Sequence, residues 1–540
     1  MTILLRNKIK ATFKLPNFLL LLGLLIITSA FPQAYCQSLG WQKLMDAGTN
    51  AYKQADYDTA KRYFTSAVEA SRSEDNNAHL SRSFNDLGLV ILAQGKNAEA
   101  EATFQQALKI KTEAYGAENI ELVPTLNNLA KLHCQSSNWA QAEKYYRQAL
   151  AITEKSNGAN HPSLAVCLNN LSSVLRRENK TDEAKSFIKR AIAIVESNYG
   201  KDNAAAAIQI NNLAQIYADE GNTEQANKLY SQALSIRQKA PGQNSAEIAD
   251  NLNKLAAVRR SEGKFEEAES FLTQSLNTLE QANGIDNKNL IVALNNLAMV
   301  KRELQKYDQA EALYKRSSSI AENTFGPDSK ERADCLDKLG DLYTEKQDLP
   351  SAAQYYGQAL NIRKKLFGDQ GQEITVSLSK LLEVHRQQGN YSLAESEGKE
   401  IVDILDKSPN KDKSNLVVSL NNLALLFREE GKTEQVEPLL KKTVEIDELP
   451  DSGCSKESLA NDLNNLARFY REQGNYAQSQ ECYKQSLALR KTVFGPDDPR
   501  VAASLRNYAD LLRLMNNNDE ATKLNQQAQT IESKNNSIVQ

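Results

Sequence analysis

The chain is poor in everything that breaks or staples a backbone, with 23 glycines, 12 prolines and 6 cysteines in 540 residues. So little glycine and proline excludes a loop-rich or collagen-like chain. Strand-like alternation of Val, Ile and Thr is hard to find, which argues against sheets. Four histidines, His79, His133, His161 and His385, are scattered, and neither Cys-x-x-Cys, His-Glu-x-x-His nor Gly-x-Ser-x-Gly occurs. The familiar zinc and hydrolase signatures are therefore missing. Beyond residue 30 no apolar run approaches the ~20 residues of a spanning helix. What is present, 41% hydrophobic and 25% charged residues, suits a soluble chain that is helical throughout, and the length suggests several domains.

The first 36 residues differ from the rest. Arg6, Lys8, Lys10 and Lys14 precede the apolar run Phe18 to Ala30, with no acid among them, which is the layout of an export signal. Ala34-Tyr35-Cys36 offers small residues for cleavage before Gln37, and Thr28-Ser29-Ala30 is the second choice. Gln33 and Tyr35 stand where a lipoprotein signal needs an apolar and a small residue, which disfavours lipid attachment at Cys36. An uncleaved leader would instead tether the chain to a membrane. Removal leaves a charge of -7, which disfavours nucleic acid as a partner. It also leaves Cys134, Cys167, Cys335, Cys454 and Cys482, an odd set that reads as unpaired thiols.

One string returns along almost the whole chain, Leu-Asn-Asn-Leu-Ala. Its first Asn, or the residue replacing it, is Asn85, Asn127, Asn169, Asn211, Asn253, Asn295, Asp337, Ser379, Asn421, Asn464 and Arg506, at steps of 42 residues with one of 43. A second marker keeps the step, Gly116, Gly158, Gly200, Gly242, Gly284, Gly326 and Gly368, then Asn410, Gly453 and Gly495. It reads as a left-handed helix end, which Gly accepts freely and Asn accepts next best. A third marker, Gly95, Asn179, Gly221, Gly263, Gly389, Gly431, Gly474 and Asn516, divides each unit into two helices. The extra residue is expected within Glu448 to Ser452. An earlier unit with Leu44, Ala47, Gly48, Ala60, Phe64 and Ala67 completes twelve. The expected layout is a leader at 1–36, a first unit at 41–75, eleven units over 76–533 and a tail at 534–540.

Small residues beside large ones on the two helices, as with Ala130 and Tyr146, permit close packing. The unit around Ser379 departs most, with Leu382 and Gly398 reversing that order, and is expected to pack loosest.

This pattern resembles tetratricopeptide repeats, and its 42-residue step is similar to the long-period variety of kinesin light chains. Leu420 to Arg428, Gly431-Lys432, Val436 to Leu439 and Phe494-Gly495-Pro496-Asp497-Asp498-Pro499 carry the likeness. The resemblance implies an all-α fold, a right-handed superhelical solenoid of about twelve helix-turn-helix repeats with an inner groove, and a role in binding protein or peptide partners. It specifies no one partner, because such repeats serve many.

Stepping 100° per residue places Leu126, Leu129, Ala130 and His133 on one stripe, Asn127 on its flank and Asn128 opposite. The flank position is expected to join successive first helices. The opposite position, occupied by Asp86, Asn128, Asn170, Asn212, Lys254, Asn296, Lys338, Lys380, Asn422, Asn465 and Asn507, is expected to face the groove. A carboxamide both donates and accepts, so the ten residues from Asn128 to Asn507 are the candidate peptide-binding set, and a solvated polar face is the plainer reading. Arg176, Arg260, Arg302, Arg386, Arg428, Arg471 and Arg513 lie seven residues after the aligned Asn. They suit either a carboxylate-bearing partner or internal pairing with acids such as Glu303, Glu429 and Glu472. Gly431-Lys432-Thr433 ends like a phosphate loop but lacks its leading glycine and coincides with an inter-helix turn.

These features describe an exported, periplasmic or secreted adaptor that holds an extended segment of another protein, with no catalytic residues, no metal, no cofactor and no nucleic-acid partner. The alternatives are a structural or self-assembling envelope component and a cargo adaptor of the kinesin light chain kind. The polar last helix, with Asn525, Gln526 and Gln529, suits a monomer.

Overall fold

The computed structural model describes residues 40–74, 76–240, 244–410 and 412–538, so the leader at 1–36 and Gly242 lie outside the described residues. Among the described residues there are twenty-four α-helices, one 3-10 turn at Ile120–Leu122, and no strand. The helices form twelve consecutive pairs, numbered here as repeats. Repeats 1 to 4 are Trp41–Lys53 with Tyr57–Ser73, Asn77–Ala93 with Asn97–Tyr115, Val123–Gln135 with Trp139–Asn157, and Ser163–Arg177 with Thr181–Tyr199. Repeats 5 to 8 are Ala204–Asp219 with Thr223–Lys239, Ser245–Ser261 with Phe265–Asn283, Leu290–Glu303 with Tyr307–Phe325, and Lys330–Glu345 with Leu349–Phe367. Repeats 9 to 12 are Ile374–Gln387 with Tyr391–Lys407, Ser414–Glu429 with Thr433–Asp447, Lys456–Glu472 with Tyr476–Phe494, and Pro499–Leu514 with Asn518–Ile538. The last helix thus runs beyond residue 533.

The chain divides between Gly263 and Lys264 into two compact units. One holds repeats 1 to 5 and Ser245–Ser261; the other holds Phe265–Asn283 and repeats 7 to 12. Within each unit, helices adjacent in sequence pack on one another, so the core is a continuous seam between pairs.

Three local devices recur among the repeats. The turn between paired helices closes on a residue of positive φ, at 77° for Gly95 and 59° for Asn179. The next amide then reaches back five residues, as from Asn138 N to His133 O at 2.8 Å, which satisfies carbonyls left over at the helix end. Four second helices start under a side-chain cap, at Asp56, Asn138, Asn222 and Asp348, as with Asn138 accepting from Gln141 N at 3.4 Å or Asp348 from Ser351 N at 3.2 Å. Such a cap contributes about 1 kcal/mol. The pair then closes where a small residue meets a ring. A Cβ on Gly88 would lie 2.6 Å from the Phe104 ring, and one on Gly340 2.4 Å from the Tyr356 ring.

In repeat 9 the sizes are exchanged: Leu382 leans over Gly398, whose added Cβ would lie 3.2 Å from Leu382 Cδ1 and 2.9 Å from Leu423 Cδ1. Its two helices still touch each other less than the paired helices of the other repeats within either unit, as the sequence suggests. One sequence expectation changes here. Asn410 is no helix end. At the loops after second helices glycine combines positive φ with extended ψ, 96° and 165° at Gly326, a region that Asn does not share. Repeat 9 therefore leaves its helix earlier, at Ser408 (φ -62°, ψ 134°), which Pro409 holds extended. Asn410 Oδ1 instead accepts from Asp412 N at 3.1 Å.

Candidate peptide-binding face

The aligned asparagines join successive first helices. Asn85 Oδ1 accepts from Thr125 Oγ1 at 3.2 Å and from Asn128 Nδ2 at 3.0 Å, Asn464 Oδ1 accepts from Asn507 Nδ2 at 3.2 Å, and Asn169 Oδ1 accepts from Asn212 Nδ2. Asn421 Nδ2 donates forward to Asp462 Oδ1 at 2.8 Å. Each bond ties one repeat to the next, and half-burial of the amides strengthens it.

These same bonds divide the ten candidate residues. Asn128, Asn212 and Asn507 each donate to the aligned Asn of the preceding repeat. Lys254 turns to Asp250 at 2.9 Å, and Lys380 pairs with Asp341 while its ammonium lies 5.1 Å from the centre of the Tyr356 ring. Asn170, Asn296, Lys338, Asn422 and Asn465 make no side-chain hydrogen bond or ion pair among the described residues. Of the ten, only Asn422 and Asn465 are exposed; the other eight are half-buried. At the aligned position in repeat 2, burial pushes the Asp86 carboxyl above its ordinary range, against hydrogen bonding from Asn85.

Asn422 and Asn465 meet at a cavity of about 230 Å³ on the first helices of repeats 10 and 11. Ala424, Val436, Leu440 and Phe469 give it an apolar floor, and Leu425, Arg428 and Arg468 rim it. Both arginines reach one carboxylate, Glu472, at 2.5 Å from Arg428 and 3.3 Å from Arg468, so one positive charge is left over at the rim.

A set that the repeat pattern did not bring forward lies on the same stripe, four residues before the candidate Asn positions. Val166, Ile208, Val292, Val376 and Val418 are all exposed there. The legible signal was an apolar residue outside the core phase that returned with the 42-residue step.

Four arginines of the row pair with an acid of the next repeat. Arg302, Arg386 and Arg428 reach Glu345 at 3.2 Å, Glu429 at 3.0 Å and Glu472 at 2.5 Å, each one repeat further on, and Arg176 reaches Asp219 in the same way. Exposed pairs of this kind contribute about 0–1 kcal/mol each, so they set register more than stability.

Four further cations sit deeper, Arg490 half-buried and the others buried. Lys111, Arg237, Arg363 and Arg490 occupy one position in every third repeat, 126, 126 and 127 residues apart. Arg237 donates to Asn251 Oδ1 at 3.0 Å, Arg490 to Ser504 Oγ at 2.7 Å, and Arg363 to Ser377 Oγ and, as an ion pair, to Asp337 at 2.7 Å. Lys111 donates to the Glu121 carbonyl at 2.8 Å. Burial lowers the affinity of Lys111, Arg237 and Arg490 for their protons and raises that of Asp337.

The remaining polar residues are absorbed by packing. His133 is buried and stacks on Tyr145, His385 meets Glu397 at 2.9 Å, His79 stacks on Trp41 with ring centres 3.6 Å apart, and His161 turns to Ser163 at 2.8 Å. Lys432 follows the turn residue Gly431 and pairs with Glu430 at 2.7 Å. The five described cysteines are free thiols, and among the described residues no group of three or more His, Cys, Asp or Glu could hold a metal ion.

The Tetratricopeptide repeat model matches residues 43–113, 121–197, 204–281, 289–365 and 458–531, well over half of the chain. No curated protein matches it. Solved structures similar to it include BtubC (BKLC) from P. vanneervenii, 22% identical over 45% of this chain and 91% of that one, TM-score 0.36. Another is a putative kinesin light chain from Podosopora anserina, 19% identical over 38% of this chain and 98% of that one, TM-score 0.34. The apo form of RapI is 17% identical over 69% of this chain and 98% of that one, TM-score 0.44.

Proposed function

The chain belongs to the tetratricopeptide repeat family, a family of protein-interaction scaffolds, and we propose that it is an exported, non-catalytic adaptor that holds an extended peptide along its first helices. The observation that carries this reading is the cavity with two free carboxamides, Asn422 and Asn465, over an apolar floor. Two amides can pair with the N–H and C=O of an extended strand whatever its side chains, while the floor takes an apolar side chain. The exposed Val376 and Val418 extend the apolar surface toward the start of the first helices in repeats 9 and 10. Export rests on the leader, Arg6 to Ala30.

Because Asn128 and Asn212 hold neighbouring repeats together, changing them would weaken the fold along with any binding. Asn422→Ala with Asn465→Ala is the cleaner test, since neither amide holds another residue. Proteins captured by the chain from its own organism's extracytoplasmic fraction would be retained about ten- to a hundredfold less by the double variant, the loss of one or two hydrogen bonds each left unpaired in the complex. Circular dichroism would stay that of the parent. Full retention by the double variant would end the assignment of these residues.

A further inference from the structure

At the joint between repeats 10 and 11 the position held by Arg237, Arg363 and Arg490 elsewhere is taken by an acid. Asp447 ends the second helix of repeat 10 and is 8% exposed. Facing it is Asp462 on the first helix of repeat 11, 3% exposed, at the position where Asn251, Ser377 and Ser504 accept from those arginines. The repeat register sets the two carboxyl groups against each other, as it sets Arg237 against Asn251. Asp462 Oδ1 accepts from Asn421, but Asp462 Oδ2 and both oxygens of Asp447 meet no donor in the protein.

The first helix of repeat 10 offers Asn421, which is neutral. The second helix offers Thr443, whose hydroxyl donates to the Leu440 carbonyl at 2.8 Å. The connecting segment offers Ser452 and the Cys454 thiol, which burial and Asp447 hold in its protonated form. The second helix of repeat 11 carries Arg490, but its guanidinium is turned to Asn461 at 2.8 Å and Ser504 at 2.7 Å. Two bare carboxylates set together in such a place repel without water to screen them, and a proton on Asp462 removes most of that repulsion.

We propose that Asp462, facing Asp447, makes the joint between repeats 10 and 11 tighten on acidification, its proton tying the first helix of repeat 11 to the second helix of repeat 10. Loss of that proton sets like charges against each other across the joint. Asn421 lines the cavity described above and is held by Asp462, so the geometry of the cavity follows the state of the pair.

The direction in pH follows from the carboxyl itself. Burial above all, with the Asp447 charge added and the Asn421 hydrogen bond opposing, pushes Asp462 up to about 6, against about 3.9 when unfolded. The proton's contribution is complete below the unfolded value and is lost as pH rises through about 6. Between about pH 7.5 and about pH 5 the joint gains about tenfold in protection against opening.

Native-state hydrogen exchange on the full chain, corrected for the intrinsic pH dependence of exchange, reads this directly. Amides of Leu440 to Asp447 and of Ala460 to Tyr470 are expected to gain that factor relative to Ala233 to Lys239 and Ile248 to Ala256, around the Arg237 joint, where the acceptor is the neutral Asn251. Asp462→Asn and Asp447→Asn are each expected to abolish the gain, and either one serves if the other fails to fold. Equal protection at both pH values, greater protection at the higher pH, or a gain that survives in the variants would overturn the proposal. So would protection at about pH 7.5 supplied by added calcium in place of protons, which would make the pair a cation site.

Discussion

Four of the twelve tight turns close on a residue poorly made for them: Ala55, Ser137, Gln305 and Gln347 hold φ between 55° and 60°. That conformation costs an ordinary residue about 1–2 kcal/mol, and the unfolded-state entropy of glycine offsets about 0.5–1 of it. Gln305→Gly is therefore expected to stabilise repeat 7 by about 0.5–1 kcal/mol, seen as a higher urea midpoint. A lower midpoint would mean that the Gln305 side chain holds something. The turns at Gly and Asn could be read from the sequence because those residues advertise a left-handed backbone. Ala55 and its three companions could not, because packing of the two helices imposes the turn whatever residue fills it. Asn410 misled in the opposite sense: its tolerance of positive φ does not extend to the ψ that these loops need.

Among elements, Arg363, 5% exposed, ties Asp337 of its own repeat, 7% exposed, to Ser377 at the start of repeat 9. Arg363→Ala leaves a buried aspartate without its cation and is expected to cost about 3–5 kcal/mol. The double change Arg363→Met with Asp337→Asn should cost clearly less, since no buried charge is stranded. Hydrogen exchange across Ile362 to Leu381 would compare the two, and equal losses would mean that shape and not charge governs the joint. Angular stepping along one helix told the flank of Asn127 from the opposite face of Asn128. It could not tell that Asn128 reaches back to Asn85, because that bond depends on how two helices 42 residues apart are superposed. Half of the candidate set was therefore readable as a row but not as free or engaged. The cavity at Asn422 and Asn465 was unreadable for the same reason.

For the whole molecule, twelve pairs follow from a period carried by three kinds of marker, and nearest-neighbour contacts suffice to extend it. Such an array is expected to leave the cell's interior with residues 1–36 removed. Mass spectrometry of the chain from the extracytoplasmic fraction should find an N-terminus at Gln37, whereas a chain that keeps Met1 and stays in the cytoplasm would contradict export. A different regularity is written over the first. Lys111, Arg237, Arg363 and Arg490 fall in the middle repeat of each successive three, so the chain is four copies of a block of three as much as it is twelve copies of one unit. Each of these cations has its acceptor near the start of the following repeat, at Glu121, Asn251, Ser377 and Ser504. Recombination within the gene that cuts between the two would strand a charge in the core. Inherited changes of length that keep every cation beside its acceptor and preserve the pattern must then add or remove repeats in threes.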